Sequence, residues 1–158
     1  MLDLDQYTLE WAGKQFGAAH ANEIAGFIAQ YTKFNGRRKP EMIDSLTYNL
    51  HNYREWERVV SEYNDLAAEA QALYEKISEA YKDAYYQLVL FPILACANLN
   101  ELHYTVAKNQ FYARQGRTGT NTLASRAKDL FRRDSMLTYE YNHILAGGKW
   151  SHMMDQTH

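Results

Sequence analysis

The sequence predicts an all-α chain, an up-and-down helical bundle of about five helices, three long and two shorter, with no sheet. Three observations carry that prediction. Apolar residues recur at spacings of three and four over long stretches, and no useful stretch alternates with period two. The two prolines, at 40 and 92, and most of the eight glycines fall at joints or single breaks in these patterns. At 158 residues the chain is one domain, long enough to bury a single core.

Residues 5–17 form the first short helix, with Trp11 and Phe16 turned inward. The second carries Ile24, Phe27, Ile28, Tyr31 and Phe34 and ends at Asn35-Gly36. An irregular connection from 37 to 52 follows. From Tyr53 the apolar positions run Tyr53, Trp56, Val60, Tyr63, Ala67, Ala70, Tyr74 and Ile77, widened by Val59, Leu66 and Leu73. That alternation of three and four predicts a helix of about seven turns with one buried face and shallow, left-handed packing. The next helix carries Tyr81, Tyr85, Leu88, Pro92, Ala95, Leu99, Leu102, Val106, Asn109 and Ala113. Its middle is apolar on every side, which predicts a central helix contacted all round. Pro92 removes a backbone hydrogen bond and predicts a kink about one turn before itself. The loop Gly116-Arg117-Thr118-Gly119-Thr120-Asn121 ends it, with Thr118 or Thr120 as the next N-cap. The last helix carries Leu123, Ala127, Leu130, Leu137, Tyr141 and Ile144, with Asp134 in the same stripe, and stops at Gly147-Gly148. The division is a bundle domain over 1–147 and a segment over 148–158. That final stretch holds a Trp and two His without a closing element, and it is expected to be truncated and to lead to a missing domain.

Composition excludes several function classes. Charged residues make up 23% and the formal net charge is -2. There is no broad basic field for nucleic acid and no polybasic face for a membrane. A single cysteine excludes an intrachain disulfide framework and a cysteine-based zinc cluster. Cys96 lies in an apolar run and is expected to be a buried, inert thiol. The longest such run, 88–97, is ten residues, against about 20 for a membrane span. Thirteen tyrosines against six phenylalanines suit core-edge positions, interfaces or carbohydrate-facing clefts.

The residues themselves specify no reaction. Glu140 and His143 have the Glu-x-x-His spacing of a di-iron bundle, but such a site needs two of these motifs and two further inward Glu, so a surface pair is expected. His152, Asp155 and His158 also stand at ligand spacing. No metal or cofactor is assigned to either group, and no catalytic residue is assigned. Asp134 is expected to pair with a Tyr hydroxyl or an Arg stem in the bundle. The segment Asn35-Gly36-Arg37-Arg38-Lys39-Pro40-Glu41 concentrates charge and admits three roles. It is an anion clamp, a helix C-cap followed by cations that favour the negative helix end, or a docking point for an acidic neighbouring surface.

Four segments together carry a resemblance. They are Tyr31-Thr32-Lys33-Phe34-Asn35-Gly36-Arg37-Arg38-Lys39-Pro40-Glu41, then Asn52-Tyr53-Arg54-Glu55, then Tyr86-Gln87-Leu88-Val89 with Asn98-Leu99-Asn100-Glu101-Leu102, and finally Gly147-Gly148-Lys149-Trp150-Ser151-His152-Met153-Met154-Asp155-Gln156-Thr157-His158. In this order, over essentially the whole chain, they resemble the helical region of glycoside hydrolase family 115, the xylan α-1,2-glucuronidases. The resemblance implies a larger hydrolase with an α/β domain, a TIM-barrel catalytic domain, a helical bundle and a C-terminal β-sandwich. It implies a parent that removes glucuronic acid or its 4-O-methyl form from xylan with inversion, using an acid and a base about 6.5–9.5 Å apart. Those groups would sit on the barrel, outside this chain.

The expected partners are therefore the barrel and β-sandwich domains and, for the parent, xylan, with a periplasmic or secreted location by family analogy. Asn35, Arg37, Arg38, Lys39, Trp150, His152 and Asp155 are expected at substrate or interdomain contacts. An accessory domain of this kind predicts a disordered or artificially packed tail after Gly148 and a bare apolar patch, which also allows a homodimer. A stand-alone protein-interaction module predicts a tidy C-terminus, and a metal-binding bundle predicts iron or zinc at Glu140 and His143.

Overall fold

The computed structural model describes residues 3–155 and is all-α, with no strand among those residues. Helix α1 spans Leu4–Phe16 and α2 spans Ala21–Asn35. After an irregular stretch come α3 (Glu55–Tyr74), α4 (Glu79–Tyr85) and α5 (Phe91–Arg114), then α6 (Thr120–Tyr139). A π-helical turn, Tyr86–Leu90, joins α4 to α5 in one rod, and a second, Glu140–Ile144, extends α6. The described residues thus form five rods, three long and two shorter, as the spacing predicts.

Local chemistry sets the ends. The Asp3 carboxylate caps α1 by accepting from the amides of Asp5 and Gln6 at 3.1 Å. Helix α5 ends in a Schellman motif, in which the amide of Arg117 reaches the Tyr112 carbonyl at 3.0 Å and that of Gly116 reaches Ala113 at 3.1 Å. Gly116 takes φ +65, a conformation a side chain disfavours. The cap predicted for α6 differs. Gly119 holds the N-cap position, and the Thr120 hydroxyl donates backwards to the Arg117 carbonyl at 2.7 Å instead of capping.

The central α4–α5 rod packs chiefly on α6 and α3, while α1 pairs with α2 and also touches α4. The stripe predicted for α3 is the buried one: Trp56, Val59, Val60, Tyr63, Leu66, Ala67, Ala70 and Leu73 all lie in the core. Tyr53 does not. It precedes the helix in a left-handed conformation and is 92% exposed.

On the central rod the predicted face is rotated. Leu88 is 45% exposed, whereas its neighbours Tyr86, Val89 and Leu90 are buried, so the rod is not covered all round at this level. The cause is the π turn, which adds a residue to one helical turn and shifts the register beyond it. It stands directly before Pro92, where the missing amide already breaks the hydrogen-bond ladder. The second π turn likewise turns Ile144 out to 60% exposure. Asp134 is half-buried on α6, and no hydrogen bond or ion pair engages it, so the predicted Tyr or Arg partner is absent among the described residues. No helix of the described residues is long and apolar enough to cross a membrane.

Candidate functional site

The first predicted segment leaves α2 at Asn35, whose amide oxygen accepts from the buried Tyr63 hydroxyl of α3 at 2.7 Å. Arg37 then turns back onto α3. Its Nη1 lies 2.5 Å from Glu62, and its guanidinium sits 4.5 Å over the Phe34 ring. Arg38 donates from Nε to the Met42 carbonyl at 3.1 Å. Lys39 stays exposed and opens the short 3-10 turn Pro40–Met42. Arg37 and Arg38 line a hollow of about 370 Å³ together with Asp44, Thr47 and Tyr48. The Asp44 carboxyl is held below its ordinary range, first by the Leu46 amide and then by the Thr47 hydroxyl. The segment therefore ties α2 to α3, with one of its three cations already matched by a carboxylate.

The described part of the second predicted segment, 148–155, is packed onto the bundle. Ala146, Gly147 and Gly148 take positive φ in succession and reverse the chain after α6. At Gly148, which takes φ +81, a side-chain carbon would stand 3.2 Å from the His143 carbonyl oxygen, so any other residue there would be strained and crowded. Trp150 and Met154 then lie against the core, and Lys149 Nζ sits 4.8 Å over the Trp150 ring. The buried Asn142 holds the tail in place. Its Nδ2 donates to Asp155 Oδ1 at 2.8 Å and its Oδ1 accepts from the Met154 amide at 2.9 Å. The other Asp155 oxygen engages His152 Nδ1. His152 is 80% exposed and has φ +65, a strained conformation for a non-glycine residue. The result is an exposed imidazole oriented by a carboxylate that a buried amide orients in turn.

No hydrogen bond, ion pair or ring contact among the described residues joins the two segments. Glu140 and His143 also stay apart from any ligand set. The His143 ring packs 4.7 Å from Tyr139, and no group of three His, Cys, Asp or Glu side chains among the described residues is arranged to hold a metal. His158 lies outside the described residues. No protein-family model matches the chain, and no curated protein matches it.

Sequence spacing missed a third group, beside the start of α3 and the end of α5. Asn49 organises the approach to α3 in place of a side-chain cap. Its Oδ1 accepts from the amides of His51 and Asn52 at 2.7 and 2.8 Å, while its own amide donates to Glu55 at 2.8 Å. The next two residues, Tyr53 and Arg54, are both left-handed, at φ 59 and 50. From α5, Tyr104, Lys108, Phe111 and Tyr112 project at helical spacing onto this loop. The His51 ring lies 4.5 Å from Phe111. Lys108 donates to the Tyr104 hydroxyl at 3.1 Å, which, as the first cause, raises its pKa. The Schellman turn carries Arg117 back over Tyr112 at 4.1 Å. The missed signal was the periodicity of Tyr104, Lys108 and Tyr112 along one helix edge, which became meaningful only once the loop was placed against it.

Proposed function

We propose that this chain is the helical domain of a family 115 glycoside hydrolase, inactive alone, whose parent removes glucuronic acid or its 4-O-methyl form from xylan. In this role it supports or docks onto the catalytic barrel. The observation that carries the proposal is that the two most specific resembling segments are fixed, surface-facing structures. One is clamped by Asn35–Tyr63 and Arg37–Glu62 and the other by Asn142. Function-bearing loops are held in this way on rigid scaffolds. The outer face of α6 and the tail adds exposed Met136, Tyr139, Ile144 and Met153, an apolar surface of the kind a neighbouring domain covers. That face favours the second proposal as well, a stand-alone module that docks a partner protein, and so does the packed tail, which is the tidy end such a module predicts.

The test is release of glucuronic acid from glucuronoxylan by the full-length protein that carries this domain, beside the same protein with Arg37→Ala and Arg38→Ala. Because Glu62 already engages Arg37, both proteins should release the acid at similar rates. The variant should lose under about 1 kcal/mol of stability, as expected for a partly exposed ion pair. No release by either protein transfers the assignment to the docking module. A collapsed rate in a normally folded variant makes these arginines part of the active site.

A further inference from the structure

The hollow between α5 and the loop before α3 holds about 180 Å³ and opens beside a larger one of about 470 Å³. The two share Leu50, His51 and Phe111 as walls. Three cations face them, Lys108 and Arg117 in the smaller and Arg114 in the larger, and among the described residues none of the three forms an ion pair with a carboxylate; Glu55, which lines the larger hollow, accepts from the Asn49 amide. The sole carboxylate among the residues lining the smaller hollow is Glu57, and it is already engaged on both oxygens. Arg54 holds Oε2 at 2.5 Å and the Tyr104 hydroxyl donates to Oε1 at 3.3 Å. The left-handed residue Arg54 supplies that guanidinium, and the Tyr104 hydroxyl, which accepts from Lys108 at 3.1 Å, stands between Lys108 and Glu57.

Two cations are thus held on the ring of Tyr112, Arg117 at 4.1 Å and Lys108 at 5.9 Å from its centroid, beside a concave surface with an open mouth. On a chain of net charge -2, these two cations rest on an aromatic ring and, among the described residues, form no direct ion pair with a carboxylate. An aromatic ring face supplies contact for the C–H face of a sugar ring. A guanidinium fork and an ammonium supply a carboxylate site.

We propose that this hollow binds an acidic saccharide, with its carboxylate between Lys108 and Arg117 and its ring against Phe111 and His51. The choice of a uronic acid as that saccharide rests on the proposed function above. The cation–aromatic hollow itself does not.

The test titrates the chain, followed by amide shifts of Lys108, Tyr112 and Arg117, with three probes: a xylotetraose bearing one glucuronic acid, unsubstituted xylotetraose, and inorganic phosphate. The substituted oligosaccharide should bind at least about tenfold more tightly than either other probe, in line with the loss of one charge-assisted contact. Lys108→Gln with Arg117→Gln should abolish that preference while the melting temperature stays close to wild type. Arg117→Lys should retain part of it. Phosphate binding as tightly as the acidic sugar overturns the saccharide assignment. An unchanged affinity in the double variant, or no amide shift at all, overturns the site. If the full-length protein still releases glucuronic acid while the hollow binds nothing, this inference fails and the family assignment survives.

Discussion

Cys96 illustrates how much one side chain can be read in both directions. Its place in an apolar run predicts an inert thiol, and the structure leaves it 6% exposed, with Sγ 3.9 Å from the Tyr31 hydroxyl. Burial pushes the thiol pKa up and, as the leading cause, lifts the Tyr31 hydroxyl to about 12. The thiolate is the reactive species, so the native protein at pH 8 should react with a thiol reagent more than about tenfold slower than the same protein in denaturant. Equal rates measured by absorbance in the two conditions would sink this account. Its neighbours were less legible. Asn98 donates to the Leu130 carbonyl at 3.0 Å and Asn142 secures the tail, yet both are only 1% exposed. An asparagine in a helical pattern carries no signal that it points inward, because its partners are carbonyls and distant side chains that spacing does not encode. Arg37 was legible as a cation and not as the partner of Glu62, for the same reason.

At the scale of elements, periodicity located every long helix, because burying one face is what makes these helices stable. What it could not locate were the two π turns, since an inserted residue reads as noise in a pattern of threes and fours. Those turns lie side by side. Gln87 donates to the Tyr141 hydroxyl at 3.1 Å, and the rings of Phe91 and Tyr141 are 4.5 Å apart. The π turn of α6 carries Asn142, so the widening sets the angle from which the tail is gripped. Asn142→Ala removes both the Asp155 and Met154 bonds, each worth about 0.5–1.5 kcal/mol. The Met154 amide should then exchange its hydrogen about 10- to 100-fold faster, while amides in α3 and α5 change little. Unchanged exchange at Met154 would mean that Trp150 and Met154 packing alone holds the tail, and that His152 is not oriented through Asn142.

For the whole molecule, the irregular stretch between α2 and α3 carries Arg37 and Arg38 and supplies the Leu50 and His51 walls of the hollow, and one titrating group reports on its seam with α5. His103 on α5 is half-buried, and burial lowers its pKa below the ordinary 6.5, against a smaller opposing pull from Asp44 in the stretch. Protonation of His103 therefore favours the unfolded chain, where the ring is fully hydrated. Its contribution to stability is present in full above about pH 6.5 and is lost as pH falls through and below that value. Asp44 works in the same sense but in a lower window, around the ordinary carboxylate pKa. Its depressed pKa gives stability that persists until pH falls below the usual carboxylate range. Thermal melts at pH 7.5 and 5.5 separate the two groups. Wild type should lose melting temperature on acidification. His103→Gln should lose less, by on the order of a degree or two for a chain of this size. An equal loss in both proteins would place the acid sensitivity elsewhere and leave the seam between this stretch and α5 insensitive to pH.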